Sequence, residues 1–357
     1  MDYYGFTLHE LGLKHTEDVE GFIGQIIKND FYEKLVIIGF PYDQILKKID
    51  AKELKVGAHY GPDSFRRFIR TCGVLDNREF GIKIENIKIA DYGNVVAHKS
   101  MCEFSLEENQ QKLFIKSLLT FERNQVNFIM GGTRDYTPFV SKALISHKYY
   151  SLEDNQDREK YNKTLIISLS SICDDEKIEE NGLVTPFNRH TYLRNMEEFV
   201  ESQSQLILLG AYEEHKAVGD SQFKVIPREE IDLASPENPE DFPVPIVTKA
   251  GKYFYQLLKE SSDIFKCIQV DYNIQMAEAF STEEMIEIMF LSGYFNEVKS
   301  CTISEYNPRL EDIITGQLCA EMFYYYTLGV ELREKNSEVK FVKPTPKVKN
   351  IFTEGSL

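Results

Sequence analysis

Eight short apolar runs punctuate this chain, and no other feature restricts its possible folds as tightly. They are LVIIGF (35–40), IKIADYG (87–93), VNFIMGG (126–132), TLIISLS (164–170), QLILLGA (205–211), FKVI (223–226), FKCIQVD (265–271) and KSCTISE (299–305). Near-continuous apolar stretches of this length suit strands buried on both faces. Between them lie segments with helical spacing, at 62–72, 105–123, 136–148, 188–201, 246–260, 282–297 and 312–333. Cap chemistry marks several starts. Ser281-Thr282-Glu283-Glu284 puts a hydroxyl and acids where unpaired N–H groups need acceptors, and Pro62 stands where a first helical turn tolerates proline. Strands that alternate with helices predict one α/β domain, a parallel sheet with helices on both faces.

The balance of side chains fits that reading and excludes others. With 42% hydrophobic and 27% charged residues among 357, a large core can form. The net charge of -16 opposes binding to phosphate backbones and anionic lipid, so neither nucleic acid nor membrane is an expected partner. No run of about 18 apolar residues occurs, and the acidic start MDYYGFTLHELGLKHTEDVEGF is not expected to act as a secretory leader. Cys72, Cys102, Cys173, Cys267, Cys301 and Cys319 are scattered without a C-x-x-C pair, which fits reduced thiols in a cytoplasmic protein. No G-x-G-x-x-G follows a strand and no P-loop occurs, so nucleotide binding has no support. Residues 151–163 and the proline-rich 235–245 read as loops, and the polar stretch after Glu334 reads as an extended arm or a partly disordered segment.

In open parallel sheets ligands bind beyond the C-terminal ends of the strands. At those ends stand Gly39-Phe40-Pro41, then Gly57-Ala58-His59-Tyr60-Gly61-Pro62-Asp63-Ser64-Phe65-Arg66, Asp91-Tyr92-Gly93, Gly131-Gly132-Thr133-Arg134 and Ser304-Glu305-Tyr306-Asn307-Pro308. In this order the segments resemble the ureohydrolase family of arginases, agmatinases and formiminoglutamases. The match is to its G-x-P, G-A-x-x-G-P-x-x-x-R, D-x-G, G-G-x-x and E-x-N-P segments, over roughly residues 34–333. The resemblance implies a three-layer α/β/α sandwich with a central, mostly parallel, eight-stranded sheet. It divides the chain into an N-terminal extension (1–33), an arginase-like domain (34–333) and a C-terminal tail (334–357).

The family's members bind two manganese ions and hydrolyse guanidinium-type substrates with metal-bound hydroxide. They hold the metals with G-G-D-H, D-A-H-x-D and a late D-x-D. By resemblance, the positions of those ligands are occupied here by Arg134, Ser170, Ile172, Asp174, Asp271 and Asn273. A register shifted by two would instead pair Gln269 with Asp271. Two carboxylates and one guanidinium give a formal charge of -1, against four carboxylates in the family. Arg134 cannot deprotonate, and Ile172 offers no lone pair. Paired dications would therefore lack both ligands and charge balance, and no cofactor is expected. Arg134 is expected instead to bridge Asp174 and Asp271 with charge-assisted hydrogen bonds.

Glu305 matches the acid that holds the substrate guanidinium in the family, and it equally reads as a strand-end carboxylate that caps backbone N–H groups. Arg189 and His190 replace the substrate-loop H-G-T segment, and His59 lies in a loop that borders the family's site, where a turn histidine is the simpler reading. Tyr324-Tyr325-Tyr326 reads as a packing face of a helix. The resemblance thus implies a catalytically inactive relative with a binding, regulatory or subunit role. Its partners would be copies of itself in a trimer or hexamer, an active homologue, or a small guanidino or amino-acid metabolite. The alternative is an active but atypical ureohydrolase that cleaves a guanidinium or formimino C–N bond with one or two metals.

Overall fold

All eight apolar runs form strands, and the helical segments between them follow in the expected order. The computed structural model describes residues 21–28, 33–42, 57–95, 105–132, 136–151, 163–169, 204–211, 223–234, 246–265, 267–274 and 280–336. In chain order its elements are β1 (Ile27–Lys28), β2 (Leu35–Phe40), α1 (Gly61–Phe68), β3 (Asp76–Asn77), β4 (Ile82–Lys83), β5 (Ile89–Asn94), α2 (Leu106–Glu122), β6 (Val126–Gly131) and α3 (Thr137–Ser151). They continue with β7 (Thr164–Leu169), β8 (Gln205–Ala211), β9 (Phe223–Pro227), α4 (Arg228–Leu233), α5 (Lys249–Ile264), β10 (Cys267–Asn273), α6 (Thr282–Tyr294), β11 (Val298–Ser304) and α7 (Ile313–Asn336). The helical segment expected over 188–201 lies outside the described residues.

Among the described residues the main sheet has nine strands rather than eight, in the order β1-β5-β2-β6-β11-β10-β7-β8-β9, and every pairing is parallel. The ninth is β1, a two-residue strand ahead of position 34 that pairs with Ile89 and Ala90. Two residues carry no periodic signal, which is why it is invisible in the sequence. Ile23, Ile26 and Ile27 around it are buried in the same cluster as the sheet residues Leu35, Ile37 and Phe128. The small β3–β4 hairpin stands apart as its own antiparallel pair.

Helices cover both faces. On one, Phe65 of α1, Phe254 and Leu258 of α5, Ile288 and Phe290 of α6 and Phe323 of α7 pack on Ile37, Phe128, Ile167, Val270 and Ile303. On the other, Leu113 and Phe121 of α2 and Val140, Ala143 and Leu144 of α3 pack on Val36, Ile38, Ala90 and Ile129. Two helices begin with a complete capping box. Ser105 accepts from Glu108 N while Glu108 accepts from Ser105 N, and Ser281 and Glu284 repeat the exchange. Tyr324 and Tyr326 of α7 are buried, the packing face expected of that triplet.

The α6–α7 contact depends on two glycines. A Cβ on Gly329 would lie 2.1 Å from Phe290 O, and one on Gly293 would lie 2.1 Å from Tyr326 O. Both obstacles are backbone, so the helices themselves would have to separate. Gly329→Ala is therefore expected to destabilise the fold by about 1–3 kcal/mol, although alanine is the better helix former by about 1 kcal/mol. Urea denaturation reads the change, and an unchanged or raised midpoint would show that the helices separate freely.

Candidate functional site at the C-terminal edge of the sheet

The strand ends that the sequence singled out meet at one edge and are joined through backbone. Gly132 N donates to Phe40 O at 2.7 Å, Glu305 N to Gly132 O at 2.7 Å, and Ile274 N to Ser304 O at 3.1 Å. The pair Gly131-Gly132 reads as a tight turn, but close approach is what requires the glycines. A Cβ on Gly132 would fall 2.1 Å from Tyr42 O, and one on Gly131 would fall 1.8 Å from the Tyr136 ring, whose hydroxyl donates to Ile303 O at 2.7 Å.

Two of the resembling segments turn out to be one structural device. Arg66, from G-P-x-x-x-R, is fully buried and faces Asp91, from D-x-G. Its Nε donates to Asp91 Oδ2 at 2.8 Å and its Nη2 to Asp91 Oδ1 at 3.0 Å, a bidentate pair. Nη1 donates to Asn94 Oδ1 at 2.6 Å, while Gly93 N also donates to Asp91 Oδ1, at 2.8 Å. Asn94 Nδ2 in turn reaches Asp63 at 2.9 Å. This cluster pins α1 to the end of β5, beside the site. Both residues stand in motifs visible in the sequence, but their pairing is a property of the fold.

A second network ties the E-x-N-P loop to the same helix. Tyr306 Oη donates to Asp312 Oδ1 at 2.7 Å and lies 2.9 Å from Ser64 Oγ; Ser64 also bonds Asp312, and Arg67 reaches Asp312 Oδ2 at 3.0 Å. Burial raises the Tyr306 phenol above its ordinary range and keeps it a neutral donor. For Asp312 burial acts upward too, but the bonds from Ser64 and Tyr306 and the Arg67 charge outweigh it and hold the carboxyl below its usual value. A depressed carboxyl stabilises the fold above its unfolded pKa of about 4 and loses that contribution as pH falls through the lower folded value. Thermal melts of the parent and Asp312→Asn are thus expected to differ most near neutrality and to converge on acidification. A gap that widens in acid would contradict the linkage.

Glu305 itself is buried and takes a left-handed backbone, with φ of 66°. That region is costly for a residue with a side chain and persists where the surroundings impose it, often at ligand sites. Asn307, two residues on, is buried, and its Oδ1 accepts from Arg309 N at 3.1 Å. Gly57 packs against Asn307 and Arg309, since a Cβ there would lie 2.5 Å from Asn307 Oδ1 and 2.7 Å from Arg309 Cδ. His59 follows in a buried 3₁₀ turn (Ala58–Tyr60) with its ring centroid 4.0 Å from that of Tyr60. Arg309 lies over the other ring, 4.9 Å from the Tyr60 centroid.

Of the positions matched to metal ligands, Asp271 and Asn273 are described, and both are buried on β10. Asp271 is fully enclosed. Thr302 Oγ1 donates to its Oδ1 at 2.7 Å and Ser168 Oγ to its Oδ2 at 3.2 Å. Those donors come from the register partners of Asp271 on the flanking strands. Gln269, the other member of the shifted register, points under α3, where Ser141 Oγ donates to its Oε1 and its Nε2 donates to Thr137 O at 3.4 Å. Asp271 and Asn273 are therefore the outermost carboxylate and amide of the strand. Arg134, Ser170, Ile172, Asp174, Arg189 and His190 lie outside the described residues, and so does the expected Arg134 bridge.

Among the described residues no three His, Cys, Asp or Glu side chains converge as a metal would require. Hydroxyls meet both oxygens of Asp271, and its neighbour along the strand edge is an amide. These two described positions supply one carboxylate and one amide, whereas a pair of dications needs several carboxylate oxygens and imidazoles. Also among the described residues, no helix is long and apolar enough to cross a membrane. Cys72, Cys267, Cys301 and Cys319 are free thiols. Burial pushes the Cys72 thiol up to about 12, which keeps it protonated and unreactive at neutral pH.

Sequence comparison finds nothing: no protein-family model matches the chain, and no curated protein matches it. Comparison of folds is informative. An arginase superfamily protein from Trypanosoma cruzi superposes with a TM-score of 0.68 at 20% identity, covering 87% of this chain and 98% of that one. Formimidoylglutamase from Bacillus subtilis gives 0.66 at 14% identity, covering 89% and 94%. Proclavaminate amidino hydrolase from Streptomyces clavuligerus gives 0.61 at 14%, covering 88% and 97%. The chain has the arginase-type α/β fold.

Proposed function

We propose that this protein is a ureohydrolase-like chain that has given up binuclear metal catalysis and keeps its C-terminal-edge site for binding. The observation that carries the reading is Asp271. A carboxylate at a position that resembles a metal ligand is buried and accepts hydrogen bonds from Thr302 and Ser168. The residues Arg134, Ser170 and Ile172 support it from the sequence, because a permanent cation, a short hydroxyl and an aliphatic branch replace charged or imidazole ligands. Asn273 removes a further carboxylate.

In this reading Glu305 faces the cationic end of a small guanidino or amino-acid metabolite, which the strained backbone at that residue holds in place. The protein works in the cytoplasm, as an oligomer of its own copies or as a subunit beside an active homologue. The test is the metal content of purified protein after dialysis against manganese, paired with urea release from arginine and agmatine. Less than about a tenth of a metal ion per chain, with no product and an unchanged melting temperature in chelator, is the expected result. Stoichiometric manganese accompanied by urea release would overturn the proposal in favour of an atypical hydrolase. A rise in melting temperature with millimolar agmatine or arginine would identify the retained ligand class.

A further inference from the structure

The two faces of the central strands differ sharply. Toward α5, α6 and α7, strands β6, β11 and β10 present Phe128, Met130, Cys301, Ile303, Ile268, Val270 and Tyr272. Toward α2 and α3 the same strands present Asn127, Ser300, Thr302, Gln269 and Asp271, all fully buried. Register places these residues in two rows. Asn127 lies beside Ser300, which lies beside Gln269; one step nearer the site, Thr302 lies beside Asp271, which lies beside Ser168.

The row nearer the site is satisfied by its own hydroxyls, and Gln269 by Ser141 and Thr137. Asn127 and Ser300 are different. Neither Oδ1 nor Nδ2 of Asn127, nor Oγ of Ser300, has a hydrogen-bond partner among the described residues. The helix above repeats the pattern. The buried stripe of α2 carries Asn109 and Ser117 around Leu113, and both amide atoms of Asn109 and the Ser117 hydroxyl also lack partners among the described residues. Leu113 packs in the same cluster as Val36 and Ile129, so these helix and sheet residues belong to one layer.

Six buried polar atoms without partners in one layer would be a heavy burden if the layer were dry. Buried water typically makes about three hydrogen bonds to groups of this kind. We propose that the layer between the sheet and α2 holds ordered internal water, with its primary site between the Asn127 amide and the Ser300 hydroxyl. Water there can donate to Asn127 Oδ1, accept from Nδ2 and exchange either role with Ser300 Oγ. Its place is two residues along the strands below the Thr302–Asp271 pair, on the same face, so it extends the polar column that descends from the candidate site.

A high-resolution crystal structure of the full chain tests it directly. The expected result is a density peak about 2.7–3.2 Å from both Asn127 and Ser300. Direct bonding between these two side chains, or a dry gap, would overturn the proposal. Oxygen-17 magnetic relaxation dispersion offers a second reading in solution. The Asn127→Leu/Ser300→Ala double variant is expected to lose at least one long-lived water relative to the parent, and an unchanged count would sink the assignment. Should that variant fail to fold, the crystal structure of the parent decides alone.

Discussion

Asp91→Ala is expected to remove about 3–5 kcal/mol of stability, the usual cost of breaking a buried ion pair and stranding one charge. The group left behind would be Arg66, which is fully buried, cannot shed its proton and would keep the longer contact to Asp63 at 3.5 Å. Its Nε and Nη2 would both lose their acceptor, and Gly93 N would lose one as well. Domains are stable by about 5–15 kcal/mol in total, so the variant should melt far lower or fail to accumulate. The double variant Arg66→Met/Asp91→Leu is the control. A buried pair replaced by apolar groups of similar volume is often neutral, so most of the loss should be recovered. Urea midpoints for the parent and both variants give the comparison. A single-variant loss below about 1 kcal/mol would mean that water reaches the guanidinium and that the pair is no clamp.

The second large effect concerns metal. Arg134→His, Ser170→Asp, Ile172→His and Asn273→Asp together restore the ligand types of the resembling family and raise the local count from two carboxylates to four. The combined variant is expected to take up manganese at one to two ions per chain, where the parent takes up almost none. Turnover of arginine or agmatine should lag behind, because in the proposed match Arg189 and His190 replace the H-G-T of the family's substrate loop. Metal analysis after dialysis and a chelator-dependent melting temperature are the readouts. A folded variant without bound manganese would show that more than the ligand set has been lost. The hydroxyls of Thr302 and Ser168 on Asp271 are then the next groups to remove.

Much of the architecture can be read along the chain because strands and helices leave periodic, local marks. The runs at 35–40, 126–131 and 164–169 are buried throughout, as near-continuous apolar strands should be. The capping boxes at Ser105 and Ser281 are written in four consecutive residues each. Strand β1 escaped because two residues hold no period, and its place in the sheet comes from pairing with Ile89 and Ala90. In β10 and β11, alternation was present all along. Gln269, Asp271 and Asn273 interleave with Ile268, Val270 and Tyr272, and Ser300, Thr302 and Ser304 interleave with Cys301 and Ile303. That period of two marks one polar and one apolar face in strands that are enclosed on both sides.

From its sequence alone, this chain declares its alternating elements and its resemblance to ureohydrolases, and it is that resemblance that motivates the proposed exchange of ligand-type side chains at Arg134, Ser170, Ile172 and Asn273. These are properties of residue identity and of short-range spacing. Only the tertiary structure decides that Arg66 belongs to Asp91, that Tyr306 belongs to Asp312 and Ser64, and that Asp271 is held by Thr302 and Ser168. Except for Tyr306 and Asp312, these partners are far apart in the chain: Arg66 and Ser64 reach theirs from α1, Thr302 and Ser168 reach Asp271 by register, and β7 lies beside β10 although other strands separate them in the chain. A side chain's partner is set by the register between such strands, and register is a long-range quantity that no local stretch of sequence contains.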